Sequence, residues 1–365
     1  MHDEPRRSEG LTYRDAGVDI DAGDALVAAI RPAATRSHSD RVLRGIGHFG
    51  GFYRVGPAGG GATLVASIDG VGTKLMVAQL ANHHAGVGYD IVHHCINDIL
   101  ACGARPLCFL DYYGTGRLNV TAAATVIGGI ADACARAGVA LLGGETAEMP
   151  GLYQGEDYDL VGTIIGMIDE DDIIDGQRIQ AQDVVLGLPS SGFHTNGFSL
   201  VRAALQLTDD ADSRARLAGR PPWGGGEGKT LASVLLEPHH SYLAAVQQVL
   251  ADDRVTVHGM AHITGGGIPG NLARIIPDGM QAVIDTNHWN VPAAMAYVGE
   301  VGHIPEMEQF RAFNMGIGYI IVVPEAAVAG VQALVPDAMV IGTVSGTRSD
   351  VDTPVVLLQD GRQLT

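Results

Sequence analysis

The residues of this chain best suited to chemistry are a few acids set among glycines. Ser67-Ile-Asp-Gly-Val-Gly-Thr-Lys74 places Asp69 at the end of a β-branched run, frees the backbone at Gly70 and Gly72, and then supplies a hydroxyl (Thr73) and an ammonium (Lys74). Such a set suits phosphoryl chemistry: Asp69 as a ligand for Mg²⁺, Lys74 as the neutraliser of phosphate oxygens. The spacing is not that of a Walker loop, and a tight turn capped by Thr73 is the alternative reading. Asp98 comes next, late on an apolar helical stretch and four residues after His94, so on the same face. Burying a carboxylate there is costly unless it meets a cation or donors; a solvated helix face is the alternative. Gly143-Gly-Glu-Thr-Ala-Glu-Met-Pro150 follows a third apolar run and offers Glu145 and Glu148 where ligands of α/β sheets gather. Asp69, Asp98 and Glu145 together fit one Mg²⁺–triphosphate cluster.

Two glycine loops mark the second half. Ser190-Ser-Gly-Phe-His-Thr-Asn-Gly197 precedes a helix whose free amides would attract an anion, with Ser191, Gly192 and Asn196 as phosphate contacts and His194 as a proton carrier. His262-Ile-Thr-Gly-Gly-Gly-Ile-Pro-Gly-Asn271 repeats the device with Thr264, Gly265, Gly266 and Gly267, Pro269 being suited to a first helical turn. The pairs His83-His84, His93-His94 and His239-His240 read as surface or core histidines, because adjacent residues diverge on a helix.

Alternating elements must position these groups. Thr63–Ile68, Leu107–Leu110, Val139–Leu142 and Tyr158–Ile168 read as strands, the last with Gly162 and Gly166 as bulge candidates. Tyr89–Cys102 and Thr121–Ala137 read as helices, the second ended by Gly138. The chain turns polar around Ile173–Asp183, which divides it into domains 1–175 and 176–365. Strands at Val184–Leu188, Tyr319–Val323, Met339–Thr343 and Val355–Leu358, with helices from Gly197 and Pro269, build the second. Thr208–Gly228 reads as a surface insertion.

Composition limits the partners. The chain has 365 residues, 46% hydrophobic and 18% charged, with a formal net charge of -18, which argues against nucleic acid and anionic membranes. The polar start from Met1 and the lack of a long apolar run predict a cytoplasmic protein. Cys95, Cys102, Cys108 and Cys134 form no C-x-x-C pair and read as reduced, packed thiols. Of 23 basic residues only Lys74 and Lys229 are lysine, which makes an ammonium in a glycine-rich motif conspicuous.

Taken together, Tyr13–Asp21, Asp-Gly-Val-Gly-Thr-Lys, Asp-x4-Gly-Ala-x-Pro, Gly-Gly-Glu-Thr-Ala-Glu-Met-Pro, Ser-Ser-Gly-Phe-His-Thr-Asn-Gly, His262–Asn271 and Phe310–Gly318 resemble the aminoimidazole ribonucleotide synthetase (phosphoribosylformylglycinamidine cyclo-ligase) family. The resemblance covers nearly the whole chain. It departs at His48, at the Thr208–Gly228 insertion, and at His239-His240, where the family typically has Thr and a basic residue. It implies two α/β domains, the N-terminal one forming a shared β-barrel in a homodimer and the C-terminal one mixed α/β. It also implies ATP and Mg²⁺ near Asp69, Lys74, Asp98 and Glu145, and ring closure of formylglycinamidine ribonucleotide. The alternatives are another ATP-dependent phosphoryl-transfer enzyme of the wider superfamily and a non-catalytic nucleotide-binding protein.

Overall fold

The structure, a computed structural model, describes residues 10–57, 61–224, 228–346 and 353–364. The polar start at 1–9 and the 225–227 part of the insertion lie outside the described residues.

After helix α1 (Ile20–Thr35), strands β1 (Gly51–Arg54) and β2 (Ala62–Gly70) lead into the short α2 (Lys74–Leu80) and the longer α3 (Ala85–Leu100). Strand β3 (Arg105–Thr115), α4 (Val120–Ala137), β4 (Ala140–Glu148) and β5 (Tyr158–Asp169) complete a five-stranded sheet, ordered β1-β2-β5-β3-β4. Its pairings are antiparallel except β3 with β4. Helix α3 forms because Ile91, Val92, Cys95, Ile96, Ile99 and Leu100 are apolar at helical spacing, and all of them are buried. Gly162 and Gly166 are not bulges within the β2–β5 ladder, which runs in register past both. They let α3 approach: a Cβ on Gly162 would stand 2.3 Å from Phe109 Cζ and 2.7 Å from Ile91 Cγ1. Helix α4 starts where Asn119 Oδ1 accepts from the amides of Thr121 and Ala122, and it ends at Gly138, whose φ of 66° is left-handed. By length and composition α4 is apolar enough to span a membrane, which the sequence reading missed. Here its buried side, including Val126, Ile130 and Ala133, packs on α3 as a core helix does.

Among the described residues, the helices cover only one face of this sheet. Along β5 the even residues Tyr158, Leu160 and Ile164 are buried, while the odd ones between them, Val161, Thr163 and Ile165, are only half-buried. On that second face Ile68 is 68% exposed, and Leu142 at the β4 edge is 64% exposed. Strand β4 also runs further than its apolar residues indicate. Gly143–Glu148 continues it in parallel with β3 past a register shift, so Glu145 belongs to a strand and not to a loop.

The second sheet holds β6 (Val184–Pro189), β7 (Gly259–His262), β8 (Gln281–Asp285), β9 (Ile317–Val323), β10 (Met339–Ser345), β11 (Val355–Gln359) and β12 (Arg362–Gln363), ordered β12-β11-β8-β10-β6-β9-β7. Every residue of β9 is buried. Strands β6 and β7 both run antiparallel to β9, so their carboxyl ends share one sheet end with the start of β9. That shared end is where the two glycine loops meet. The first loop opens α5 (Phe198–Ala204). The insertion is partly ordered as helix α6 (Ala211–Ala218), capped by Asp210, whose carboxylate accepts from Ser213 N.

Candidate active site

Asp69 and Asp98 meet at the seam between the two sheets. Asp69 ends β2 and points to the helix side, since Thr63 and Val65 before it are buried at the same parity. Asp98 lies on α3, where Ser67 Oγ donates to Asp98 Oδ2 (3.0 Å) and His262 Nδ1, from the end of β7, bonds Asp98 Oδ1 (2.8 Å). From there the contacts continue without a break. His262 Nε2 lies 2.9 Å from His239 Nε2, His239 Nδ1 lies 3.3 Å from Thr195 Oγ1, and Thr195 Oγ1 lies 2.8 Å from His94 Nδ1. His94 Nε2 closes the chain 2.7 Å from Asp69 Oδ2, an ion-pair contact off the ideal hydrogen-bond axis.

The four hydrogen bonds from Asp98 to His94 use one hydrogen each, which Thr195 and three neutral imidazoles supply. The fifth contact sets His94 Nε2 against the Asp69 carboxylate, which favours a second proton on His94. Burial opposes its charge, but Asp69, Asp98 and Asp90 outweigh burial and lift its pKa to about 9. Burial and neighbouring imidazoles push His239 well below the usual range; burial also lowers His262, against the pull of Asp98. Burial would raise the Asp69 carboxyl, but His94 and the Gly70 amide hold it down, so it stays ionised. Two carboxylates against one imidazolium leave a net negative patch, and the Asp69 side chain keeps 39% of its surface exposed.

The ligand nitrogens of His194, His239 and His262 lie within 4.8 Å of one another. The rings of His194 and His239 are stacked, 3.9 Å apart and 20° from parallel, so their lone pairs run side by side instead of converging.

Three expected roles need correction. Lys74 does not face the patch. It is fully buried, and Nζ donates to Asp90 Oδ1 (2.8 Å), His194 O (2.9 Å) and Glu237 O (2.9 Å), which uses all its hydrogens. It ties the first half to the second. Burial draws the Lys74 pKa down and the Asp90 pKa up, and their contact opposes both shifts. His194 is no solvent-linked proton carrier. It is buried at a φ of 58°, its Nε2 accepts from Ser191 N (3.2 Å), and Nδ1 has no partner among the described residues. Burial, with His262 and Lys74 nearby, holds it neutral.

Glu145 is separate from the other two acids within one chain. The ladder aligns Asp69 with Gly162, Asp111 and Gly144, so Glu145 falls one residue on and faces the uncovered side. At about 4.8 Å per strand it stands roughly 14 Å away.

The glycine loops do come together. A Cβ on Gly265 would lie 3.5 Å from Asn196 Oδ1, and Gly266 and Gly267 are buried with φ of 94° and 61°. Thr264 Oγ1 donates to Asn271 Oδ1 (3.2 Å). Asn314 fastens the first loop, taking Ser190 Oγ on Oδ1 (3.0 Å) and donating from Nδ2 to Gly192 O (2.8 Å). Tyr13 OH accepts from Gly197 N (3.0 Å), and Ser191 Oγ donates to Pro238 O (2.7 Å). Thr73 caps nothing with its side chain; its hydroxyl meets Ser199 Oγ at 3.0 Å, drawing the Gly70–Gly72 turn to the start of α5. Sequence reasoning missed Thr195, His239 and His262 as parts of the site; the one local signal was the His94–Asp98 spacing on α3.

This architecture, two mixed sheets with acids at their seam, matches known proteins along its length. The N-terminal domain of AIR synthase related proteins matches residues 47–168, and the C-terminal domain matches residues 180–353. The chain belongs to the AIR synthase-related family. Among solved structures it is similar to thiamine monophosphate kinase from Aquifex aeolicus, at 14% identity and TM-score 0.58, over 93% of this chain and 97% of that one. It is also similar to the E. coli hydrogenase maturation protein HypE, at 21% identity and TM-score 0.57, over 83% and 84%. A HypE–HypF complex matches at 17% identity and TM-score 0.61, over 92% and 98%. One HypE structure holds ATP, and a ThiL structure holds AMPPCP and TMP. At these identities the likeness is one of fold.

Proposed function

We propose that this chain is a phosphoribosylformylglycinamidine cyclo-ligase, closing the imidazole ring of formylglycinamidine ribonucleotide with ATP. The carrying observation is the joining of Asp69 and Asp98 by one chain of contacts at the seam of an AIR synthase-related fold. The motif set, with Glu145–Pro150 and Asp15–Asp21, supports the cyclo-ligase over its relatives. In the proposed reaction the formyl-amide oxygen attacks the γ-phosphorus and ADP leaves. An amidine nitrogen then attacks the activated carbon, phosphate departs with the oxygen, and loss of a proton leaves the aromatic ring.

Hard carboxylate oxygens on a half-open, net negative patch fit Mg²⁺, which Asp69 and Asp98 would hold. When bound, that ion offsets charge on the transferring phosphoryl group. The chain's own residues orient these carboxylates: His94 keeps Asp69 ionised, while His262 and Ser67 fix Asp98 from two sides. A homodimer closed over the uncovered sheet face belongs to the same proposal, supported by exposed Ile68 and Leu142. So does a cytoplasmic location, supported by four free thiols.

The test is ADP release with and without formylglycinamidine ribonucleotide, alongside detection of the aminoimidazole product. Substrate-dependent ADP with product is expected. A second reading, phosphoryl transfer to another small acceptor, is favoured by the likeness to the Aquifex kinase. ADP release without ring closure would select it, and nucleotide binding without turnover would mark a non-catalytic protein.

A further inference from the structure

A cavity of about 530 Å³ lies along the outer face of α2, where Met76 and Leu80 are one turn apart, and is closed by Arg202 of α5 and the segment before β5. That volume suits a nucleotide-sized ligand. Neither glycine loop lines it. We propose that it binds a phosphorylated, hydroxyl-bearing small molecule, with Arg202 as the anion anchor.

The charges around the cavity carry the inference. Arg214 is already paired with Asp209, and Glu156 with Arg117 and Asn119. The Arg202 side chain has no hydrogen bond or ion pair among the described residues, and its Nε is buried. Arg202 is half-buried: its Nε is out of water without a partner, and the rest of the side chain lines the cavity. A ligand anion would give that charge the partner it lacks, and the planar fork of arginine matches phosphate oxygens two at a time. Burial lowers the Arg202 pKa, the direction an anion would reverse. Hydroxyl recognition is available beside it. Asn82 and Gln154 line the cavity without side-chain bonds among the described residues, and the Asp157 carboxylate is exposed to it as an acceptor. None of the residues in the contact chain from Asp69 to Asp98 lines the pocket. The inference does not depend on the cyclo-ligase reading.

The test uses the full chain labelled with ¹³C at methionine methyls, and Met76→Leu identifies the Met76 signal. Ribose 5-phosphate is the probe and ribose the control, with no ATP and no turnover needed, so a failed cyclisation assay leaves the result intact. Ribose 5-phosphate should move the Met76 signal and ribose should not. Arg202→Ala should weaken the response on the order of tenfold or more, with Arg202→Lys keeping part of it. The remaining methionine signals report whether Arg202→Ala stays folded; if they change, Arg202→Lys and the cavity-filling Ala122→Trp carry the test. An unmoved Met76, an equal response to ribose, or wild-type affinity in these variants overturns the proposal.

Discussion

The two faces of the five-stranded sheet take similar acids into opposite surroundings. On the covered face, Asp69 meets α3 and joins Asp98 through His94, Thr195, His239 and His262. On the uncovered face, Glu145 stands exposed, with no helix above it among the described residues. Both acids follow apolar runs and sit beside glycines, so local motif chemistry ranks them alike. One step along a strand decides between them, because side chains alternate with a period of two. An acid on the covered face acts within its own chain, whereas one on the open face requires whatever closes that face.

The largest effect that sharpens this contrast is Asp98→Asn. It should cut ATP turnover by about 10²–10³-fold or more while the melting curve stays close to wild type; unchanged turnover would remove Asp98 from the mechanism. Next comes complementation. If Glu145 serves the neighbouring subunit, Asp98→Asn and Glu145→Gln chains mixed into one dimer should regain activity that neither has alone, because one site per dimer is then intact. No recovery in mixed dimers would break the contrast. Lys74→Met should cost about 3–5 kcal/mol in denaturant titration, since it strands buried Asp90. Lost turnover at undiminished stability would instead restore Lys74 as a phosphate contact. Ile68→Lys on the open face should yield monomers by sedimentation with the fold retained.

The smallest effect is in pH. The folded pKa of His94 is raised to about 9, so its contribution is fully present below the unfolded value near 6.5 and is lost as pH rises through about 9. The difference in denaturant midpoint between wild type and His94→Gln should therefore shrink between pH 6.5 and 9.5. A constant difference would show that His94 carries no extra proton.

Much of the frame was legible in the sequence. The helical stripe of α3, the Gly138 stop of α4 and the strands flanking them follow from local periodicity and backbone chemistry. The apolar run predicts strand only to Leu142, whereas pairing with β3 carries Gly143-Gly144 and the residues after them as strand. The chain from Asp98 to Asp69 was not legible, since its links come from residues 94, 195, 239 and 262, brought together only by packing. The adjacent-histidine argument left His94 and His239 as surface or core residues, and local sequence carries no record of which buried polar atoms find each other. Lys74 misled for a related reason: a glycine-rich motif signals close approach, and here the approach is to Asp90 and two carbonyls instead of phosphate.

The sealed position of Lys74 gives the molecule an internal reporter. Of its two lysines only Lys229 is exposed, so an amine-directed reagent should label the folded chain at Lys229 and spare Lys74. Because the acceptors of Lys74 lie on both sides of the seam, the two halves must part before its amine can react. The labelling rate at that one position would thus time the opening of the seam in an otherwise native molecule.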